Sequence, residues 1–162
     1  MKLADNTLTD ERPAATPAPA PADPGLLTLP SGLMGFEKKT RYLLLATPDE
    51  APFLRLCMVD EPKVTFLVVA PAAVLEEYHP DVSEEDVRFL GLGDASDALV
   101  FNIVTVHPDG VATVNMKGPV VVNRQTLVGR QVVPLNAAAY PLALPIGAPE
   151  RRDRAVGPET TE

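Results

Sequence analysis

The fold is decided by one stretch, which reads Ala98-Leu-Val-Phe-Asn-Ile-Val-Thr-Val106, His107-Pro-Asp-Gly110, Val111, and Ala112-Thr-Val-Asn-Met-Lys117. Its first part is an apolar run rich in β-branched residues, which is typical of a buried strand. In its last part Ala112, Val114 and Met116 alternate with polar residues, as in a strand buried on one side. The proline and the glycine between the two parts predict a turn. The stretch therefore predicts a β-hairpin.

More strands are predicted on both sides of this hairpin, from short apolar runs over residues 42–46, 53–59, 64–70, 119–123 and 127–133. A short helix is predicted over residues 83–90, because Ser83 can cap it and the acids that follow suit a helix N-terminus. Residues 71–78 can form another helical turn. About eight strands with Pro- and Gly-marked turns predict a mainly β fold, a small antiparallel β-barrel-like or sandwich domain with one or two short helices.

The 162 residues suffice for one domain. Residues 1–25 hold five of the 18 prolines, in an Ala/Pro-rich segment with little to bury, and predict a disordered tail. Residues 147–162 are polar and predict a second tail. The folded domain is therefore expected over residues 26–146.

The overall charge excludes some classes of partner. With 22 acids against 14 bases the net charge is −8, which argues against direct binding of nucleic acid. The apolar runs are shorter than the roughly 18 residues of a membrane span, and the N-terminus has no secretory signal pattern. The single cysteine, Cys57, excludes an internal disulfide. We expect a cytoplasmic protein without membrane contact.

The acidity is concentrated in residues 76–97, which carry eight acids and one base, Arg88. This acidic segment has two interpretations: a solvated loop that keeps the domain soluble, or a patch that attracts a basic protein. Its spacing lacks the pattern of a calcium-binding loop, so no metal site is predicted.

No catalytic constellation is present in the sequence. His79 and His107 both precede proline and are far apart in the chain. The glycines Gly91 and Gly93 do not complete a dinucleotide-binding motif, and no βαβ unit surrounds them. We therefore expect a binding protein that needs no cofactor.

Several motifs, in order, resemble the bacterial flagellar assembly factor FliW family. Leu29-Pro-Ser-Gly-Leu-Met-Gly-Phe-Glu37 resembles the family's G-L-P-G-F-E motif. Thr113-Val-Asn-Met-Lys-Gly-Pro-Val-Val-Val-Asn123 resembles its T-V-N-L-x-A-P-I-x-I-N motif, and Gly129-Arg-Gln-Val132 resembles its closing G-x-Q-V. A departure is Cys57, where the family commonly has glutamine.

This resemblance implies a small β-barrel-like, non-enzymatic regulator. Proteins of the family bind flagellin in the cytoplasm. They also bind CsrA, the RNA-binding translational repressor, and when flagellin is secreted the freed factor antagonises CsrA, so that flagellin translation proceeds. The expected partners are therefore flagellin and CsrA.

An RNA-binding partner should present a basic surface, which an acidic module can recognise. The candidate contact residues are acids of residues 76–86, two acids of the turn before Phe66, one tyrosine and two asparagines: Asp60, Glu61, Glu76, Glu77, Tyr78, Asp81, Glu84, Glu85, Asp86, Asn115 and Asn123. Tyr78 is either a packing residue or an interface anchor. Asn115 and Asn123 either bond to nearby backbone groups or contact a partner.

Two alternatives remain open from the residues alone. A closed β-barrel can carry one small molecule, although 5% aromatic residues give little to line a pocket. An RNA-binding OB-like domain would need a basic, aromatic face, for which Lys117, Arg124 and Arg130 are few.

Overall fold

The structure, a computed structural model, describes residues 1–3 and 25–147. Within these residues the chain forms one α-helix, α1 (Glu84–Leu90), and nine β-strands. The strands are β1 (Leu26–Thr28), β2 (Arg41–Ala46), β3 (Phe53–Met58), β4 (Thr65–Val69), β5 (Ala98–Val106), β6 (Ala112–Val114), β7 (Val120–Asn123), β8 (Gly129–Gln131) and β9 (Leu144–Gly147). A single 3-10 turn, Pro71–Ala73, lies in the region where a second helical turn is predicted.

All the strand ladders are antiparallel, and β5 is the strand that organises them. Its first half pairs with β7, while its second half pairs with β4 on one edge and β6 on the other. The remaining order is β1-β2-β3-β4-β5-β6-β9, and β8 pairs with β7. The predicted hairpin is therefore confirmed, and its return strand, predicted over residues 112–117, is the shorter β6.

The sheet curls until its two ends approach each other without forming a continuous ladder. One parallel bridge joins Thr28 to Val128, and the Thr28 amide donates to the Leu127 carbonyl at 3.0 Å. The sheet is thus barrel-like but not closed. The prediction of a mainly β, antiparallel, barrel-like single domain with a short helix is confirmed.

Three apolar clusters hold the fold together. The first fills the interior of the curled sheet and includes Tyr42, Leu56 and Met58. The other two are an α1 cluster, which includes Leu90, Val121 and Val132, and a cluster around Tyr78, which includes Ala112, Val114 and Met116. These last three alternating residues are all 0% exposed, as the sequence pattern predicts.

The structure corrects the predicted boundaries. Where the sequence predicts a tail over residues 1–25, residues 1–3 lie antiparallel to residues 80–82, joined by an isolated bridge between Lys2 and Asp81 and two backbone hydrogen bonds. The rest of that tail, residues 4–24, and residues 148–162 of the second tail lie outside the described residues. Strands β1 and β9 were not predicted, because each is short and β9 contains a proline. Within the described part of the chain, no helix has the length and apolar character to cross a membrane.

Candidate protein-interaction surface

Helix α1 sets the position of the acids that follow Ser83. The Ser83 hydroxyl accepts a hydrogen bond from the Asp86 amide at 3.1 Å, and Gly91, at φ 70°, ends the helix in the left-handed conformation. Leu90 is buried in the α1 cluster, whereas Glu84 and Glu85 are exposed. The acids also lie in the first turn, where they interact favourably with the helix dipole. Helix α1 therefore presents Glu84 and Glu85 to solvent.

Asp86 belongs to the same turn but has a partner inside the fold. Its carboxylate pairs with the Arg130 guanidinium on β8 at 2.9 Å, and both side chains are mostly buried. The same guanidinium lies 4.0 Å from the centre of the Phe89 ring, a cation–π contact. Asp86 thus attaches α1 to the sheet, and its charge is neutralised locally. Among the predicted contact residues, Asp86 therefore has a structural partner within the chain.

Asp81 is also engaged within the chain. It is half-buried, it pairs with Lys2 in an antiparallel bridge, and its amide donates to the Asn136 side chain at 2.8 Å. The Met1 amino group lies 3.5 Å from its carboxylate. The Asp81 carboxylate therefore lies near one positive group that the chain itself supplies.

The exposed acids of residues 76–85 form what we call the acidic surface, which consists of Glu76, Glu77, Glu84 and Glu85. The predicted Asp60 and Glu61 are also exposed, but they lie in the turn between β3 and β4. There Asp60 pairs with Arg41 on β2 at 3.0 Å. Because both partners are exposed, this pair contributes little to stability. Asp60 therefore contacts β2, and it is not part of the acidic surface as defined.

Tyr78 is buried in the fold, which fits the packing alternative of the two that the sequence leaves open. The side chain is 2% exposed, its hydroxyl donates to the Met116 carbonyl at 2.7 Å, and the Asn102 amide approaches the hydroxyl at 3.4 Å. Its ring meets the Tyr140 ring edge to face, with 4.6 Å between centroids. Burial raises the pKa of Tyr78 to about 12, because the charged phenolate would be poorly solvated there. The hydroxyl therefore stays neutral at physiological pH.

Both candidate asparagines bond to backbone groups. Asn123 is 4% exposed and donates to the carbonyls of Leu90 and Gly91 at 2.9 and 3.3 Å, so that it caps the C-terminal end of α1. The half-buried Asn115 accepts from the amides of Lys117 and Gly118 at 2.9 and 3.0 Å. The backbone alternative therefore holds for both, and contact of Asn123 with a partner is excluded by its burial.

One polar residue of the same network was not singled out from the sequence. Asn102 lies in β5, is 0% exposed, and donates to the Asn115 carbonyl at 2.9 Å. A lone amide within an otherwise apolar strand was the available signal, because a buried amide needs hydrogen-bond partners. Asn102 stabilises the point where the β6 strand ends.

The described residues do not assemble a metal centre: no group of three or more His, Cys, Asp or Glu side chains among them is placed to hold an ion. His79 is half-buried and His107 lies at the hairpin tip, where its Nε2 is 3.0 Å from the Thr113 hydroxyl. The small-molecule alternative gains no support from the described interior, which is filled by the first apolar cluster.

Together these features define a class: a small, open, barrel-like antiparallel β domain with one short helix and a negatively charged surface. A family model described as "FliW protein" matches residues 19–146. The chain therefore belongs to the FliW family, as its motifs indicate.

Relatives of known name agree with this assignment. The chain is 33% identical over 131 residues to the flagellar assembly factor FliW of Carboxydothermus hydrogenoformans, covering 80% of this chain and 84% of that protein. It is 29% identical over 123 residues to the FliW of Bacillus subtilis, covering 75% and 85% respectively.

A solved structure described as the crystal structure of the flagellar assembly factor FliW has the same fold. The TM-score is 0.64 at 24% sequence identity, over 84% of this chain and 90% of that one. At this level of identity the match shows the fold alone. The relatives matched by sequence are named as flagellar assembly factors.

Proposed function

We propose that this member of the FliW family works in the cytoplasm by binding two proteins in turn. It binds flagellin before secretion. When flagellin has been exported, the freed factor binds CsrA and prevents it from repressing flagellin translation. The observation that carries this proposal is the family match over residues 19–146, joined to an acidic surface suited to a basic protein.

The distribution of charge supports the choice of CsrA as one partner. Glu76, Glu77, Glu84 and Glu85 are exposed within a short stretch of chain, whereas Asp86 and Asp81 are engaged by groups of the chain itself. An RNA-binding protein presents positive surface, and complementary charge raises the rate of encounter and selects the partner. The acidic surface therefore supplies long-range attraction.

The same charge makes a prediction about salt. Exposed charges separated by more than about 10 Å are largely screened at 0.1 M salt. Binding to CsrA should therefore weaken as salt rises, whereas an interface made only of apolar contacts would be much less sensitive.

The test is size-exclusion chromatography of the untagged protein mixed with flagellin or CsrA from the same bacterium, at micromolar concentration and low salt. Co-elution with each partner separately is expected. With all three proteins present, flagellin should displace CsrA. Separate elution of the factor from both partners at low salt would contradict the proposal.

A further inference from the structure

Residues 1–3 lie antiparallel to residues 80–82 through one isolated bridge and two backbone hydrogen bonds, and we call this extended segment the N-terminal strand. The Leu3 amide donates to the Pro80 carbonyl at 3.0 Å, and the Val82 amide donates to the Met1 carbonyl at 2.8 Å. Lys2 is paired with Asp81 in an antiparallel bridge. The chain thus adds a strand to its own surface, far in sequence from the segment it covers.

The side chains of this strand alternate between pocket and solvent. Leu3 is 1% exposed and lies in the α1 cluster with Val82, Leu90 and Val132. Met1 packs against the same cluster, while Lys2 is exposed. The pattern of the bound segment is therefore apolar, basic, apolar, with the basic residue exposed to solvent.

The site lies inside the part of the chain that carries the acidic surface. Residues 80–82 are flanked in sequence by Glu77 and by Glu84, both exposed. The N-terminal strand is bonded to residues 80–82 along one edge and buries one leucine fully. Segments with so few buried apolar contacts open at the low end of the range of local stabilities. Another extended segment can therefore replace the N-terminal strand while the sheet stays folded.

We propose that residues 80–82 and the pocket of Leu3 form a strand-docking site whose resident ligand is the N-terminal strand, and that a basic protein partner inserts an extended apolar–basic–apolar segment in its place. Backbone hydrogen bonds supply affinity in such strand addition, and pockets for alternate side chains supply specificity. The exposed acids that flank residues 80–82 in sequence favour a segment that carries positive charge. This inference rests on the proposed function, in which the basic partner is CsrA.

A reversible disulfide that holds the N-terminal strand on residues 80–82 tests whether the partner must displace this strand. Lys2 and Asp81 are a non-hydrogen-bonded antiparallel pair, because the hydrogen bonds are made by the residues on either side of them. The Cα atoms of such a pair are close enough for a cross-strand disulfide. The variant Lys2→Cys/Asp81→Cys is prepared untagged and full-length in a Cys57→Ser background. When oxidised, it should bind CsrA at least tenfold more weakly than when reduced. The two states have the same sequence, so each is the control for the other. Equal affinity in both states would overturn the proposal.

A second variant opens the site. Leu3→Asp places a carboxylate in an apolar pocket and should release the strand, while the Leu3→Met variant keeps it bound. If the N-terminal strand competes with the partner, the Leu3→Asp protein should bind CsrA at least threefold more tightly. The reason is that the state in which residues 80–82 are uncovered, which is the state that binds the partner, is no longer rare. Weaker binding by a Leu3→Asp protein that keeps the wild-type β-sheet circular dichroism would contradict displacement.

A third measurement does not depend on the partner. A synthetic hexapeptide with the sequence of residues 1–6 is added at millimolar concentration to the Leu3→Asp protein, and backbone amide resonances are followed by NMR. Saturable shifts at Val82 and Leu90 are expected, with none from the same peptide carrying aspartate at its third position. If the wild-type protein binds neither flagellin nor CsrA, the proposed function fails, and this measurement alone decides whether the site exists. Absence of saturable shifts would overturn the site itself.

Discussion

Asn123 is a single side chain that holds two elements in place. Its amide nitrogen donates to the carbonyls of Leu90 and Gly91 at the end of α1, while its oxygen accepts from the amides of Gln125 and Thr126 in the turn before β8. Because the residue is buried, losing the amide leaves several backbone groups without a partner. This explains why an asparagine ends the motif that begins at Thr113.

We predict that Asn123→Ala lowers the free energy of unfolding by about 2–3 kcal/mol. The measurement is urea denaturation followed by circular dichroism, with Gln125→Ala as an exposed neighbouring control that should change stability by less than about 0.5 kcal/mol. Equal midpoints for Asn123→Ala and the wild type would show that the capping bonds contribute nothing.

The Tyr78 hydroxyl gives the fold a dependence on alkaline pH. In the unfolded chain the phenol ionises near its ordinary pKa of about 10, but in the fold its pKa is raised to about 12. A raised pKa means that the stabilising neutral form is fully present below pH 10. Its contribution is lost as the pH rises toward 12.

The variant Tyr78→Phe should therefore be less stable than the wild type at pH 8, by about 1 kcal/mol, because the hydrogen bond to the Met116 carbonyl is lost. Between about pH 10 and 12 the wild type should lose an additional 2–3 kcal/mol or so that the variant does not lose. Denaturation curves at several pH values measure both effects. Parallel pH profiles for the two proteins would contradict the buried state of Tyr78.

At the scale of secondary-structure elements, the acids of α1 lie in two different environments. Asp86 is joined to Arg130 on β8, while Glu85 projects into solvent. A charge reversal at Glu85 should therefore test recognition, whereas a change at Asp86 tests stability. The two effects can be measured on different variants of the same helical turn.

We predict that Glu85→Lys weakens CsrA binding at least fivefold in low salt, while costing less than about 1 kcal/mol of stability through the helix dipole. The matched control is Asp49→Lys, which makes the same change of net charge at an exposed position outside the acidic surface. Isothermal titration calorimetry measures the affinities. If both variants weaken binding equally, net charge matters and the acidic surface does not.

Strand β8 depends on a glycine at the place where the sheet ends approach each other. A Cβ on Gly129 would lie 2.8 Å from Leu29 Cδ2 and 2.8 Å from Val122 Cγ2. Real carbon atoms do not come so close without displacement of their neighbours. The glycine of the closing G-x-Q-V motif is therefore required for close packing.

Gly129→Ala should accordingly lower the unfolding free energy by about 1–3 kcal/mol through overpacking. Gly93→Ala is the control, since its added Cβ would meet only the Asp97 carboxylate at 3.4 Å. Thermal unfolding of both variants measures the difference. A Gly129→Ala protein as stable as the wild type would show that the contact between β1 and β8 is loose.

At the scale of the whole molecule, the local pattern predicted strands β2 to β8, α1 and the antiparallel class. The alternation at Ala112–Val114 is a signal that spans a few consecutive residues, and so is the cap at Ser83. The partner of the N-terminal strand, residues 80–82, lies far along the chain, and the three residues of β1 are too few to show a periodicity. These elements are formed by tertiary contacts, so propensity could not predict them.

For the candidate site, the sequence predicts the acidic segment but not which of its acids are exposed. Charge density pointed to the acids of residues 76–86, and exposure confirms Glu76, Glu77, Glu84 and Glu85 as surface residues. The sequence could not separate Asp86 from them, because its partner Arg130 is 44 residues away. The alternatives for Tyr78 and Asn123 could not be separated from the sequence for the same reason, since burial depends on distant elements.

The most direct test of the account is a gel-shift titration with CsrA and the leader RNA of the flagellin message from the same bacterium. Adding the protein should release the RNA from CsrA, and adding flagellin afterwards should restore the CsrA–RNA complex. If the RNA remains bound to CsrA at saturating protein in low salt, the proposed antagonism is wrong.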